Sequence, residues 1–475
     1  MTTSNSAESR AVSRREVLRA AAAGLSGAAM VPSRLLGGAK GTPPSGTLNL
    51  AGIGIGGVGH HFLRALAEEE TVRIAALCDV DDQYGAKSFD LWPQARRYRD
   101  FREMLDKERD LDGVLVATPD HSHAVIAMRA IKAGKHVLCV KPLTRTLWEC
   151  RALTAAARKA GIATQVTATS RATNGALALC EMIEDGAIGD VREVHCWSDR
   201  PWWPQGMVRP AGEDPVPSHF DWDLWLGPAA PRPFKDLWPE DSLVLKQMSA
   251  RARKMGRRGV YCPFNFRGWW DFGTGSLGDM ACHHFNTVFA ALKLGYPTSV
   301  EASSTTVLEE SIPSASIVTW QFPAREGMPP MKLVWYDGGL RPPRPEEWDR
   351  DQPWPTQGNL FIGDKGKIVG QYNTGRIIPE KRQRAYKQPP KKYPRLPFRE
   401  KNIVTAEWVA ACRGGYTASC NFEVGGLLTE VALLGNIAIR TGKKLVWDAE
   451  KMRFTNDEEA NQYVREPYRA GWTLD

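Results

Sequence analysis

Short apolar runs alternate with amphipathic stretches in the first part of the chain. Runs with the length and apolar character of buried strands lie at Leu48–Ile53, Val72–Cys78, 112–119, 135–140 and 162–168. Helical patterns fill most of the intervals, at 60–69, 101–105, 124–133 and Leu147–Ala160. This alternation predicts an α/β domain over residues 47–169, a doubly wound parallel sheet with helices on both faces.

The pattern changes after Thr169 and predicts a second domain over residues 170–475. A helix at 177–185 precedes strand-like runs at Val191–Trp197, 299–307, Ser316–Phe322, 332–335, 360–362 and 367–371. Most of these runs have no helix between them, which predicts an α+β domain with a large open mixed or antiparallel sheet. A strong helical pattern follows at 425–440.

The first predicted strand runs into a glycine-rich turn of the form G-x-G-x-x-G, which opens the first helix. Gly54 permits the sharp turn, Gly56 and the adjacent Gly57 let a pyrophosphate approach the backbone, and Gly59 lets helix and strand pack closely. Asp79 ends the second strand, where a carboxylate accepts hydrogen bonds from ribose hydroxyls and repels a 2′-phosphate. The sequence therefore predicts a Rossmann domain that binds NAD rather than NADP.

Residues 1–41 predict a signal and linker rather than part of the fold. The segment SRREVLR at 13–19 precedes an Ala- and Gly-rich stretch that ends at Pro32. This resembles a twin-arginine (Tat) export signal, so we expect a periplasmic or otherwise exported protein. No replenished NAD pool exists outside the cytoplasm, and a cofactor used there must be regenerated within each catalytic cycle.

Composition and charge narrow the class of protein. The 475 residues are 43% apolar and 24% charged, as in ordinary globular proteins of two or three domains. No run of about 18 apolar residues predicts a membrane span. The nine cysteines include no C-x-x-C pair, which favours free thiols over disulfides or a zinc site.

The net charge of +8 equals the basic excess of one segment, residues 376–401. This segment contains ten Lys or Arg, two Glu and five Pro, and it predicts an extended, solvated surface loop. Basic residues confined to one such loop do not predict nucleic-acid binding, because a binding surface needs them on a folded face.

Several motifs together resemble the Gfo/Idh/MocA family of oxidoreductases, from Leu48 to the C-terminus. They are the glycine turn, Thr118-Pro119-x-x-x-His123, and Lys141-Pro142 after a strand. The family usually has Glu before this Lys, and here Val140 replaces it. The resemblance implies that these Thr, Pro, His and Lys residues border the cofactor, with His123 orienting a turn near the nicotinamide.

Lys141, Asp279 and His283 are the predicted catalytic residues. Lys141 lies at the end of a strand, where its ammonium can stabilise charge on a reacting oxygen. Asp279 and His283 are four residues apart on one helical face, so the carboxylate can orient the imidazole as general base or acid. The family carries Asp-x-x-x-His here; a helix-stabilising ion pair is the alternative. His284 points elsewhere on the helix, and no metal site is predicted.

Eight of the 17 tryptophans lie between Trp197 and Trp270. Trp202 and Trp203 follow Arg200 in a loop rich in Pro and Gly. Aromatic faces pack on sugar C–H surfaces and Arg binds hydroxyls, so this loop predicts a carbohydrate site or, alternatively, a purely structural loop. The predicted substrate residues are Arg200, Trp202, Trp203, Trp270 and His283.

These observations together predict an NAD-dependent oxidoreductase that acts on a secondary hydroxyl of a sugar or sugar derivative, with NAD tightly bound. One alternative is a redox-neutral NAD-dependent glycosidase or lyase that oxidises a ring hydroxyl transiently. Another is a sugar or nucleotide sensor without turnover. The resemblance also implies that helix 425–440 returns to the nucleotide domain, and the open sheet predicts a homo-oligomer.

Overall fold

The structure, a computed structural model, describes residues 46–248 and 258–474. The predicted Tat signal at residues 1–41 lies outside the described residues. The described chain forms two domains, and both contribute side chains to one pair of adjoining clefts.

The first domain is built on a six-stranded parallel sheet. Its strands are β1 (Leu48–Ile53), β2 (Val72–Cys78), β3 (Arg96–Tyr98), β4 (Gly113–Val116), β5 (His136–Cys139) and β6 (Thr164–Val166). Its helices are α1 (Gly57–Ala67), α2 (Asp82–Leu91), α3 (Phe101–Lys107), α4 (His123–Lys132) and α5 (Leu147–Ala160). The order β3-β2-β1-β4-β5-β6 reverses between β1 and β4, the point at which such sheets bind ligands. The predicted doubly wound sheet is confirmed.

The second domain is built on a nine-stranded sheet in the order β13-β12-β11-β7-β10-β9-β8-β14-β15. Its strands are β7 (Val191–Trp197), β8 (Ser299–Ser304), β9 (Ser316–Phe322), β10 (Met331–Tyr336), β11 (Gly358–Gly363), β12 (Gly366–Gly370), β13 (Arg376–Ile378), β14 (Leu445–Asp448) and β15 (Arg453–Phe454). Its helices are α6 (Asn174–Glu184), α7 (Trp222–Leu226), α8 (Leu243–Gln247), α9 (Gly275–Leu292), α10 (Glu380–Ala385), α11 (Ile403–Cys412) and α12 (Phe422–Thr441). β10 runs parallel to β7 and the other pairs are antiparallel, which confirms a mixed sheet.

Helices α9 and α12 pack together on one face of this sheet. In β9 every second residue is buried, as expected for a strand with one face on the core. The Trp320 indole N–H donates to the Val431 carbonyl of α12 at 3.0 Å. A Cβ on Gly435 would lie 2.7 Å from both Leu277 and Trp320, so the glycine lets the two helices and the sheet meet closely.

Helix α12 also packs against the nucleotide domain. By length and composition it could cross a membrane, but most of it is buried within the fold, as in a core helix. Arg151 of α5 makes a two-pronged ion pair with Glu430 of α12, with N···O distances of 2.5 and 2.6 Å. The backbone N–H of Leu143 donates to the Thr429 hydroxyl at 3.0 Å. These contacts join α12 of the second domain to the nucleotide domain.

The basic segment 376–401 differs from the extended, solvated loop predicted for it. It begins with β13 and α10, and its later part lies against α6. Arg395 makes two contacts with Glu181, at 2.9 and 2.8 Å, and Lys392 Nζ lies 2.6 Å from Glu184. The prediction agrees with residues 386–399, which form no helix or strand and are exposed or half-buried, but it missed β13, α10 and the contacts with α6. These contacts could not be predicted because the acidic residues that pair with the segment lie some 200 residues earlier in the chain.

Candidate active site

The nucleotide cleft begins at the glycine turn between β1 and α1. Gly54 has a φ of +76°, and a Cβ there would lie 2.7 Å from the Ala117 carbonyl group, so only glycine fits. A Cβ on Gly59 would lie 1.9 Å from the Gly54 carbonyl oxygen, which is why α1 can pack so close to β1. The turn presents Gly56 and Gly57 to the cleft, beside the N-terminus of α1.

Asp79 holds the tip of β2 against this turn. Its carboxylate accepts the backbone N–H groups of Ile55 at 2.8 Å and Asp81 at 3.1 Å. Burial raises the pKa of Asp79 to about 6. The ring of Tyr84, from α2, packs on the turn, and a Cβ on Gly56 would lie 2.2 Å from it. The bare backbone at Gly56 therefore accommodates this ring as well as the approach predicted for a pyrophosphate.

The opposite wall comes from the turns after β4 and β5. Thr118, Pro119 and Lys141 line the cleft there. His123 is fully buried, and its ring nitrogens lie 2.8 Å from the Thr118 carbonyl oxygen and 2.9 Å from that of Pro142. His123 thus joins the two turns and orients them, while Pro142 contributes its carbonyl to that contact.

The three predicted catalytic residues lie in one cleft. Lys141, Asp279 and His283 line a space of about 400 Å³ that adjoins the nucleotide cleft of about 420 Å³. The Lys141 ammonium forms an ion pair with the Asp279 carboxylate, although 138 residues separate them in sequence. The fold therefore brings together two motifs that the sequence presents separately, at the junction of the two clefts.

Asp279 contacts different partners from the one predicted. Its Oδ1 atom bonds Lys141 Nζ and lies 3.1 Å from Arg267 Nε, whereas the backbone N–H of Thr169 donates to His283 Nδ1 at 3.0 Å. Burial by itself would raise the pKa of Asp279, but Lys141 and Arg267 outweigh it and hold that pKa well below its usual value. The predicted direct orientation of His283 by Asp279 is wrong. Asp279 and His283 share a helical face, but the Asp279 carboxylate bonds Lys141 and Arg267, which come from outside that helix.

The environment of His283 keeps its imidazole neutral. Burial, and then the charge of Lys141, lowers the pKa of His283 to about 3. The Thr169 N–H bond to Nδ1 assigns the ring proton to Nε2, which can then donate to a substrate oxygen. The Thr169 hydroxyl also lies 3.0 Å from Nδ1, so in the other tautomer it can accept a proton from Nδ1 and leave Nε2 as a base, with the backbone N–H bond to Nδ1 broken.

The predicted substrate residues divide into two groups. Arg200 and Trp202 line the catalytic cleft, and the guanidinium carbon of Arg200 lies 3.2 Å from the centre of the Trp202 ring. Trp203 and Trp270 are buried behind the wall, where their indole N–H groups donate to Gln205 at 2.8 Å and to the Leu308 carbonyl at 3.2 Å. The prediction that Trp203 and Trp270 contact substrate is corrected accordingly.

Several lining residues were missed from the sequence. They are Thr169, Phe264, Arg267, Met280 and Tyr372. Arg267 matters most, since it borders both clefts and pairs with Asp279. Arg267 lies in no recognisable sequence motif. The one local feature that could have drawn attention to it is the Trp269–Trp270 pair two residues later.

A part of the second domain covers the nucleotide cleft. It consists of residues 219–226 and 262–272, here called the aromatic cover. On the β2 side, the backbone N–H of Asp221 donates to the Val80 carbonyl at 2.9 Å. On the β4 side, His121 Nε2 lies 2.9 Å from the Trp225 carbonyl oxygen. The cover therefore bridges the cleft from one wall to the other.

Comparison with protein families identifies both domains. The family description "Oxidoreductase family, NAD-binding Rossmann fold" matches residues 48–168, and "Oxidoreductase family, C-terminal alpha/beta domain" matches residues 356–474. The chain belongs to the Gfo/Idh/MocA oxidoreductase family. The resemblance expected from the glycine turn and the Lys141 motif is thus confirmed for the family, and the first domain is an NAD-binding Rossmann domain.

Curated relatives are similar over part of their length. Inositol 2-dehydrogenase of Salmonella typhimurium is 30% identical over 152 residues, which are 31% of this chain and 45% of the relative. D-Apiose dehydrogenase of Paraburkholderia graminis is 34% identical over 137 residues, 29% of this chain and 36% of the relative. The matches therefore span less than half of either relative.

Solved structures support the fold over most of the chain. The aldose–aldose oxidoreductase of Caulobacter crescentus, complexed with glycerol, superposes with a TM-score of 0.55 at 19% identity. That comparison covers 84% of this chain and 100% of the other.

Within residues 46–248 and 258–474, no group of three or more His, Cys, Asp or Glu side chains could hold a metal ion.

Proposed function

We propose that this protein is an NAD-dependent oxidoreductase that oxidises a secondary hydroxyl of a sugar or sugar derivative. The observation that carries the proposal is the placement of Lys141 and His283, from two domains, in one cleft that adjoins the glycine turn. The dehydrogenases of inositol and D-apiose among the relatives support a polyol or sugar as substrate.

The residues of the nucleotide cleft fit NAD. The turn at Gly54–Gly59 leaves a cradle that side chains would fill, and the Asp79 carboxylate lines the same cleft. These residues would hold the pyrophosphate and the adenosine ribose, and Asp79 favours NAD over NADP. When bound, NAD accepts a hydride from the substrate carbon at the end of the cleft where Lys141 lies.

The side chains at this end supply the rest of the chemistry. The Lys141 ammonium donates to the reacting hydroxyl and stabilises the developing alkoxide. Asp279 positions that ammonium through their ion pair. For His283 to take the hydroxyl proton at Nε2, the bond from the Thr169 backbone N–H to Nδ1 must break, so that the ring proton lies on Nδ1 and bonds the Thr169 hydroxyl instead.

We also propose that NAD stays bound between turnovers. The aromatic cover bonds both walls of the cleft, at Val80 and at His121, and such a cover favours slow release of the cofactor. The Tat signal predicted at the N-terminus supports the same proposal, because an exported enzyme cannot exchange its cofactor with a cytoplasmic pool. Export to the periplasm and assembly into a homo-oligomer are proposals of the same kind.

A covered cofactor supports a second function, a redox-neutral NAD-dependent glycosidase or lyase. Oxidation of a ring hydroxyl to a ketone acidifies the neighbouring C–H bond, and loss of that proton expels the glycosidic substituent. Water would then add to the double bond, and a reduced cofactor held at the Gly54–Gly59 turn would supply the hydride that restores the hydroxyl. Substrate is hydrolysed or eliminated, and no NADH accumulates.

The test uses the purified full-length protein without added nucleotide. Mass spectrometry after denaturation measures co-purified NAD(H), and nicotinamide absorbance is followed when free sugars and glycosides are added. Reduction of bound NAD by a free sugar supports the oxidoreductase, and release of the aglycone without net NADH supports the glycosidase. Unaltered substrates in the presence of bound NAD would contradict both and favour a sensor.

A further inference from the structure

The catalytic cleft carries an excess of positive charge. Its charged lining, among the residues that the structure describes, consists of Lys141, Arg200, Arg267 and Asp279. One carboxylate is thus shared by Lys141 and Arg267, while Arg200 pairs with Asp199 outside the lining. With Asp199 counted, three cations face two anions; the buried Asp120 of the adjoining nucleotide cleft is a further carboxylate that interacts with Lys141 and Arg267 but not with Arg200. An oxidised nicotinamide would add another positive charge.

Neutral groups make up the remainder of this lining, so within it Asp279 is the one carboxylate that offsets the three cations. His283 is neutral, because burial, and then the nearby charges of Lys141 and Arg200, lower its pKa to about 3. The Tyr372 hydroxyl donates to Gln357 at 2.7 Å. A cleft with this charge lowers the energy of an anionic ligand relative to a neutral one of the same shape.

Both arginines are held by aromatic rings. The guanidinium carbon of Arg200 lies 3.2 Å from the centre of the Trp202 ring, and that of Arg267 lies 4.4 Å from the centre of the Phe264 ring. Their side chains are only 14% and 15% exposed. Stacking of this kind fixes the planar fork of an arginine, and that fork matches the two oxygens of a carboxylate.

Arg200 and Arg267 differ in where their acidic partners lie. Arg267 and Lys141 share the buried carboxylate of Asp279, which belongs to the catalytic arrangement. Asp199 is the preceding residue in the chain and is not part of the cleft lining, so it neutralises part of the charge of Arg200 from outside the lining. Arg200 is therefore the cation best placed to bind a charged group of a ligand.

We infer that the preferred substrate is a sugar bearing a carboxylate, such as a glycuronic acid or its glycoside, and that Arg200 binds the carboxylate. This inference rests on the proposed function, since it names the substrate of the same cleft. The cleft of about 400 Å³ has the size of a site for a monosaccharide acid or a small glycoside.

The test compares matched pairs of sugars on the full-length protein as purified. D-Glucuronate is paired with D-glucose and D-galacturonate with D-galactose, and calorimetry measures binding while nicotinamide absorbance measures reduction of bound NAD. We expect at least one acid to bind and react about 30-fold better than its neutral partner, from charge-assisted hydrogen bonds. Arg200→Gln should remove that preference, and Arg200→Lys should restore part of it.

The control variant is Arg341→Gln, since Arg341 is an exposed arginine whose side chain bonds the Trp354 carbonyl outside the cleft. It should keep the full preference for the acid. Equal binding of acids and neutral sugars, or an unchanged preference in Arg200→Gln, would overturn the inference while sugar oxidation itself stands. A preference for D-glucose 6-phosphate over D-glucuronate would also overturn it. If no sugar binds or reacts, the proposed function fails as well.

Discussion

The nucleotide cleft and the catalytic cleft meet at Lys141 but are built in different ways. The inner walls of the first are made largely of backbone, from a glycine turn, the N-terminus of α1 and the turns after β4 and β5, and the aromatic cover lies over them. The second is made of side chains from distant segments, among them Lys141, Arg200, Arg267 and His283. A site made of backbone leaves its pattern in a few neighbouring residues, whereas a site made of side chains does not.

Two buried carboxylates show the same contrast in their electrostatics. Burial raises the pKa of Asp79 to about 6, and the backbone N–H groups that donate to this carboxylate lower its pKa too little to offset the burial. Burial also acts on Asp279, but Lys141 and Arg267 hold the pKa of that group well below its usual value. An aspartate therefore becomes protonated in mild acid in the nucleotide cleft, whereas an aspartate in the catalytic cleft stays ionised.

Removing the lysine at the junction should have the largest effect. Lys141→Ala should slow reduction of bound NAD by substrate by about a thousandfold or more, since the reacting oxygen loses its charged donor. Single-turnover measurements of nicotinamide absorbance would show this. The control is Lys451→Ala, which alters an exposed lysine paired with Asp448. Retained turnover would remove Lys141 from the mechanism.

Removing the shared carboxylate should affect stability as well as rate. Asp279→Asn leaves Lys141 and Arg267 without their counter-charge, so we expect a loss of about 3 kcal/mol in the free energy of unfolding at neutral pH. The pKa of Asp279 is depressed in the folded state, so its stabilisation is complete above the ordinary Asp pKa of about 3.9 and declines in acid. Denaturant unfolding should therefore show the difference between the two proteins shrinking as the pH falls below about 4. A difference independent of pH would contradict the ion-pair explanation.

A single added methyl group should alter cofactor binding in the nucleotide cleft. Gly56→Ala should weaken NAD binding by about tenfold or more, a loss of ~1.4 kcal/mol. The new Cβ would also meet the Tyr84 ring at 2.2 Å, but that residue is 40% exposed and can move, so stability should change little. Thermal unfolding and NAD dissociation rates measure the two effects.

Two further variants separate the roles of Gly56. Gly295→Ala is the control, since a Cβ there meets no atom within 4 Å. The double variant Gly56→Ala/Tyr84→Ala should remain defective in NAD binding if the methyl group obstructs the pyrophosphate. Full recovery in the double variant would place the obstruction in Tyr84 instead.

The smallest expected effect is a pH dependence in the nucleotide cleft. Because the pKa of Asp79 is raised to about 6, the carboxyl becomes protonated as the pH falls below 6 and accepts ribose hydroxyls less well. NAD should dissociate a few times faster at about pH 5 than at about pH 7.5, given the modest net worth of such hydrogen bonds. Asp79→Asn should give a flat profile, and an unchanged profile in this variant would assign the titration to another group.

The local parts of the molecule could be predicted from the sequence. The bounds of β1, β2, β7, β9 and α5 coincide with their predicted ranges. The Thr146 capping box begins α5 and Gly161 ends it at a φ of +63°. Turn geometry, capping and the periodicity of apolar residues act over a few positions, so the chain carries them in its local pattern.

Only the tertiary structure decided which charged groups meet. The helical spacing placed Asp279 and His283 on one face, but it could not show that Lys141 and Arg267 take the carboxylate and that Thr169 bonds the imidazole. Likewise, no local pattern in the sequence could show that the aromatic cover bridges the nucleotide cleft. Electrostatic and packing energies depend on distances in space, and these are set by the packing of segments far apart in the sequence.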